Sequence, residues 1–177
     1  MKSFKHLILS DLERHKIPGK GVIRFLKRYS VPGCRYMIYW RLANKMGGVM
    51  NLFLRHYSIK YGYQIPSQTT IGEGLYLGHH GPVVINHNSI IGNYCNIAQN
   101  VTIGMENRGR RKGCPTISDR VWIGAGAVVV GKITIGTDVL IAPNAFVNCD
   151  VPSHSIVFGN PCIIKHKNNA TEGYINL

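Results

Sequence analysis

Two adjacent histidines, His79 and His80, stand between glycines in LGHHGP, residues 77–82. An imidazole titrates near neutrality, so either ring could take a proton from a hydroxyl or serve a metal ion. A zinc site made of histidines needs three that converge, and this part of the chain offers only His79, His80 and His87. No metal is therefore expected. The five cysteines (Cys34, Cys95, Cys114, Cys149, Cys162) are odd in number and scattered, without a C-x-x-C spacing. That pattern reads as reduced thiols rather than a disulfide framework or a zinc site. A second stretch able to do chemistry is GMENRGRRKGCPT, residues 104–116, whose Arg108, Arg110, Arg111 and Lys112 suit an anionic group.

The elements that must position these residues follow a period of six. Ile117, Ile123, Val129, Ile135, Ile141 and Val147 are six apart, as are Ile85, Ile91, Ile97 and Ile103, and Ile65, Ile71 and Leu77. Six fits neither a helix near 3.6 nor simple strand alternation. It fits short strands joined by tight corners, three to a coil of about 18 residues, stacked as a solenoid. Corners call for Gly or Asn where φ is positive, and Asn88, Asn93, Asn100 and Asn144 suit that need. The count slips twice: eight residues separate Leu77 from Ile85, and fourteen separate Ile103 from Ile117. The first slip holds the histidines and the second the basic stretch, which reads as an extruded loop. Departures from a rigid repeat are where function is sought.

Ahead of the repeat the texture changes. GVIRFLKRYS, CRYMIYWRLANKM and VMNLFLRHYSIKY read as helices broken by Pro18, Pro32-Gly33 and Gly47-Gly48. Such helices would cap the apolar end of the first coil. Their basic character would also suit peripheral contact with an anionic membrane. Of the net charge of +13, residues 1–60 carry most, with 13 Lys and Arg against Asp11 and Glu13. An anionic partner is implied, and nucleic acid is not the favoured one. No apolar run approaches the roughly 18 residues of a membrane span, and the first residues lack a signal-peptide pattern. The expected location is cytoplasmic, with the inner membrane face as a refinement. The expected organisation is a helical segment at 1–62, a mainly β domain at 63–165 with a loop extruded at 105–114, and a tail at 166–177.

Four stretches, IGEGLYLGHHGPVVI, IGNYCNIAQNVTIG, CPTISDRVWIGAGAVVVGKITIG and GNPCII, resemble the hexapeptide-repeat acyltransferases, and among them the serine acetyltransferase-like branch. The resemblance covers roughly residues 60–167. It implies a left-handed parallel β-helix, a homotrimer, and acetyl-CoA lying between neighbouring subunits as acyl donor, without a metal. It places the general base at His79, whereas His80 would point the other way along an extended backbone. Gly124, Ala125 and Pro143 would meet the pantetheine, Asn148 the far end of the cofactor, and Lys165, with Lys167 in reserve, its phosphates.

The substrate positions depart from the serine acetyltransferase pattern. The aspartate that usually orients the histidine is Gln64, the acid before the histidine is Gly78, and an Arg-His pair is Gly113-Cys114. Cys114, with no adjacent base, reads as a wall of the acceptor pocket. A serine site must satisfy one carboxylate and one ammonium, both costly to leave unpaired. The expectation is therefore O-acetylation of a sugar hydroxyl in a surface polysaccharide such as capsule, or in its lipid-linked or nucleotide-linked precursor, with an anionic or lipid-linked glycan as partner. Serine or another small molecule is the alternative acceptor, and a non-catalytic scaffold stands behind both.

Overall fold

The computed structural model describes residues 3–18 and 20–176. Four helices, α1 (Phe4–Glu13), α2 (Gly21–Ser30), α3 (Pro32–Met46) and α4 (Val49–Tyr61), precede a run of very short strands. The first nine strands are β1 (Tyr63–Gln64), β2 (Thr70–Ile71), β3 (Tyr76–Leu77), β4 (Val83–Ile85), β5 (Ile90–Ile91), β6 (Asn96–Ile97), β7 (Thr102–Gly104), β8 (Thr116–Ile117) and β9 (Val121–Ile123). They continue as β10 (Val128–Val130), β11 (Thr134–Ile135), β12 (Val139–Ile141), β13 (Phe146–Val147), β14 (Ser155–Phe158) and β15 (Ile163–His166).

Strands three apart pair in parallel up to β13, and β12 pairs with β14 because the rung between β13 and β14 is a single bridge from Ile135 to Val151. The three sheets are β1-β4-β7-β10-β13, β2-β5-β8-β11, and β3-β6-β9-β12-β14 with β15 added antiparallel. The register turns the six-residue period into three ladders. Ile71, Ile91, Ile117 and Ile135 align on one wall. Leu77, Ile97, Ile123, Ile141 and Val157 align on the second, and Ile85, Ile103, Val129 and Val147 on the third. All of these side chains are buried in one continuous core. The chain is thus a parallel β-helix of about five turns with a helical front segment, as the period requires.

Both slips leave the ladders intact and expel the surplus residues. The first places residues 78–82 between β3 and β4. The second leaves residues 105–115 outside the wall, pinched by Glu106 and Gly113, which exchange backbone hydrogen bonds of 3.0 and 2.9 Å. The corner asparagines divide. Asn100 and Asn144 have positive φ, but Asn88 and Asn93 do not; Tyr94, Arg120, Asp138 and His154 take that conformation instead. Asn93 instead links adjacent corners. Its N–H and Nδ2 donate to Asp119 Oδ1, and its Oδ1 accepts from the Glu73 N–H.

Helix α3 seals the open end of the first coil. Tyr36, Met37 and Trp40 are buried there, with the Tyr36 hydroxyl donating to the Ile65 carbonyl and Trp40 Nε1 to the Pro66 carbonyl. The helix lies so close that a methyl on Gly33 would overlap the Leu77 carbonyl. Arg41 binds both oxygens of Asp11 on α1 and donates to the carbonyls of Ile71 and Gly72. One ion pair thereby joins two helices to the first turn of the β-helix. Among the described residues no helix is long and apolar enough to cross a membrane.

Candidate active site

The residues expelled after β3 open a cleft of about 230 Å³ lined by Tyr76, Gly78, His79, Asn96, Ala98, Gln99, Trp122, Ala125 and Pro143, with Ile97 behind them. Stacking explains the membership. Tyr76, Asn96 and Trp122 are consecutive rungs on the outer face of one sheet. Gly78, Ala98, Ala125 and Pro143 belong to the corners that follow. Small residues keep that corner column shallow. A methyl on Gly124 would come within 2.6 Å of the Pro143 nitrogen and 2.8 Å of the Trp122 ring.

His79 is exposed at the cleft. The Tyr63 hydroxyl donates to its backbone carbonyl at 2.9 Å. Burial, then the neighbouring Tyr36 and Tyr61, push the Tyr63 hydroxyl pKa upward, so it stays a protonated donor. The anchor acts on the backbone. Among the described residues no side chain hydrogen-bonds the His79 ring.

The sheet face beside the cleft is held from both ends of the chain. An Arg14 guanidinium nitrogen donates to Asn96 Oδ1, and Asn96 Nδ2 donates to the Tyr174 carbonyl at 3.0 Å. The Tyr174 ring meets Trp122 edge-on with centroids 5.0 Å apart, and the His15 ring lies 4.4 Å from that of Tyr76. Burial, then the charges of Arg14 and Arg28, push His15 down to about 4, so a neutral imidazole packs on Tyr76 at pH 7. Beyond Trp122, Asp138 gathers the tail. It lies 2.8 Å from His154 Nδ1 and accepts from the N–H groups of Ala170 and Thr171 and from the Thr171 hydroxyl.

Of the residues singled out in the sequence, the cleft unites Gly78, His79, Ala125 and Pro143, with Gly124 immediately behind. His80 is exposed next to it without lining it. Gln64 lies instead in a groove of about 550 Å³ between α4 and the first coil. Cys114 sits ahead of β8, near Ser89, where burial raises its thiol pKa. Asn148 and Lys165 are exposed further along the helix, Lys165 with its ammonium 5.6 Å from the Phe158 ring centre. Tyr76, Asn96 and Trp122 are not legible in the sequence because an outward-facing rung residue carries no spacing signal, and Gln99 lies in the turn after β6, where nothing in the period marks it. The Tyr76 ring also accounts for Gly78. A Cβ at 78 would meet Tyr76 Cε1 at 2.7 Å, so the ring occupies the space a side chain there would use.

The model of the bacterial transferase hexapeptide family (six repeats) matches residues 114–149. The chain is 34% identical over 128 residues to the serine acetyltransferase of Synechococcus elongatus, covering 72% of this chain and 52% of that protein. It is also 34% identical over 134 residues to the serine acetyltransferase of Helicobacter pylori, covering 73% of this chain and 78% of that relative. A solved structure of Neisseria gonorrhoeae serine acetyltransferase in complex with serine matches with a TM-score of 0.72 at 27% identity, covering 90% of this chain and 68% of that one. Isoform 3 from Entamoeba histolytica, in complex with cysteine, matches with a TM-score of 0.73 at 30% identity, covering 88% and 58%. The chain spans about half the length of the cyanobacterial relative.

These matches overturn the expectation of a surface-polysaccharide acceptor and a glycan partner. Serine acetyltransferases match across 72–73% of the chain, whereas the polysaccharide reading rested on a few substituted positions. The fold, the cleft and the aligned length agree: the chain belongs to the serine acetyltransferase family of hexapeptide-repeat transferases.

Proposed function

We propose that this chain is an acetyl-CoA-dependent O-acetyltransferase acting on serine, with His79 as general base. The observation that carries the reaction is the position of His79. It stands where the coil period slips, in a cleft whose wall is made of corner residues. The acceptor rests on the relatives, which are named serine acetyltransferases. A second reading, a small hydroxyl compound other than serine, is favoured by the lack of an acid at Gly78.

A serine hydroxyl is a weak nucleophile at neutral pH, so a base must take its proton as the oxygen attacks the thioester carbonyl. The imidazole receives that proton. The tetrahedral oxyanion is stabilised by backbone N–H donors. Collapse breaks the C–S bond, and the imidazolium returns the proton to the leaving thiolate, giving O-acetylserine and free CoA. On this reading Gly124, Ala125 and Pro143 form the track for pantetheine, and Asn148 and Lys165 serve the distal cofactor. The neighbouring copy in a homotrimer completes the groove. Gln64 and Cys114, both outside the cleft of a single chain, would join the acceptor pocket only across such a boundary.

The test is release of free thiol from acetyl-CoA in the presence of serine. His79→Ala should lower kcat by about 10²–10⁴-fold with the thermal midpoint and oligomeric state unchanged. Full activity in that variant would refute the base. Turnover with another small hydroxyl compound far exceeding that with serine would select the second reading.

A further inference from the structure

At the far end of the β-helix, two cysteines separated by thirteen positions meet. Cys149 lies at the corner that follows β13, and Cys162 lies in the turn between β14 and β15. Their sulfur atoms are 3.5 Å apart, and both thiols are free and half-buried. Cys34 and Cys95 are 1% and 0% exposed and so are shielded from reagents. Cys114, half-buried, has no cysteine partner. Burial raises the Cys149 thiol pKa and the adjacent Cys162 adds to this, while Arg111 from the extruded loop acts in the opposite direction. The net effect holds the Cys149 thiol above its ordinary value, so it is the approach of the two sulfurs that marks the pair.

We infer that Cys149 and Cys162 are a redox modification site, oxidised reversibly by a hydroperoxide to an intramolecular disulfide. The Cys149 thiolate attacks the O–O bond, forming a sulfenic acid and releasing hydroxide, which takes up the lost proton as water. The Cys162 thiol then attacks the sulfenic sulfur, the S–S bond forms, and a second water leaves. Two thiols lose two protons and two electrons, and hydrogen peroxide becomes two waters. The sulfurs must close from 3.5 Å to about 2.05 Å, a movement that side-chain rotation in a half-buried corner can supply. The bond would tie the β14–β15 hairpin, which carries Lys165, to the corner that carries Asn148. The chemistry itself does not depend on the acceptor or on the catalytic assignment.

The experiment uses the reduced full chain in native buffer, titrated with an aromatic disulfide reagent before and after exposure to hydrogen peroxide. Before oxidation the three half-buried thiols, Cys114, Cys149 and Cys162, should react rapidly. Afterwards only Cys114 should. Peptide mapping should find the 149 and 162 peptides linked at a mass about 2 Da below their sum, and dithiothreitol should restore all three. Oxidation should accelerate as pH rises, because thiolate is the reacting form. In Cys162→Ser, with folding checked by its thermal midpoint, peroxide should produce no internal link. The inference fails if Cys149 and Cys162 remain titratable after peroxide, or if the only disulfides formed join separate chains. It also fails if the peptide of residue 149 in Cys162→Ser is still recovered in an internal disulfide after peroxide. None of these outcomes bears on serine-dependent thiol release by the reduced enzyme, so this inference and the proposed function fail separately.

Discussion

At the residue scale, the cleft is shaped by a substitution and its compensation. Gly78 precedes the proposed base and has no side chain, while Tyr76, two positions earlier on the same strand face, fills the vacated volume. The Tyr76 ring cannot yield freely because His15 packs on it and Arg14 stands nearby, 5.9 Å from its centre. Gly78→Asp should therefore destabilise by about 1–3 kcal/mol through overpacking. Tyr76→Ala combined with Gly78→Asp should cost less than the sum of the two changes. A four-variant urea-denaturation cycle measures that coupling, and strict additivity would mean that the two residues do not share the space. Tyr63 acts on the same turn from the other side. Tyr63→Phe removes one hydrogen bond to the His79 carbonyl, worth about 1 kcal/mol. A roughly fivefold loss in kcat with KM for acetyl-CoA unchanged is the expected result, read from steady-state kinetics.

At the element scale, the helical front segment is tied to the β-helix by one buried ion pair. Arg41 is 3% exposed and Asp11 2%. The two make a two-point contact while Arg41 also satisfies carbonyls at the end of β2. Removing one partner leaves an uncompensated charge in the interior. Arg41→Met should cost about 3–5 kcal/mol, and Arg41→Met with Asp11→Leu should recover a substantial part of that. Urea midpoints of the two variants decide it; equal losses would show that packing rather than charge holds α1 in place. The strands were legible in the sequence for a geometric reason. Each rung returns one aliphatic residue to a shared axis, so the ladders Ile71–Ile135 and Leu77–Val157 appear as fixed spacing. The corners were less legible. Positive φ fell on Tyr94, Arg120, Asp138 and His154, because stacking imposes the corner conformation whatever residue occupies it.

At the scale of the whole molecule, the two ends of the chain converge on one sheet face, and their titrating groups link stability to pH. His15 is held near 4, below the ordinary value of 6.5, so between those limits the unfolded chain binds more protons than the folded one. Its contribution is present above pH 6.5 and is lost as pH falls toward 4, by about 3 kcal/mol. Burial alone would raise the Asp138 carboxyl, but the donors from Thr171, His154 and Ala170 overcome it and hold it at about 2. That contribution persists above the ordinary carboxylate value and is lost as pH falls toward 2. Acid unfolding should therefore proceed in two windows, followed as urea midpoints from pH 7 to about pH 2. His15→Gln should flatten the first window and leave the second. An unchanged slope between pH 6.5 and 4 would remove His15 from the account.

The sequence by itself determined the solenoid, its two interruptions, the histidine at the first of them, and the hexapeptide-repeat transferase family, but not the acceptor, which the relatives corrected. Each is local or periodic, and a fixed rung length writes them into the spacing of residues. Only the tertiary structure decided that Tyr76, Asn96 and Trp122 stand on adjacent rungs and that Arg14 and Tyr174 reach them from opposite ends of the chain. It alone placed Gln64 in a separate groove and brought Cys149 to Cys162. Those contacts join residues through stacking and through segments that fold back over the sheet. Side chains on the outside of a rung are unconstrained by the repeat that fixes those within.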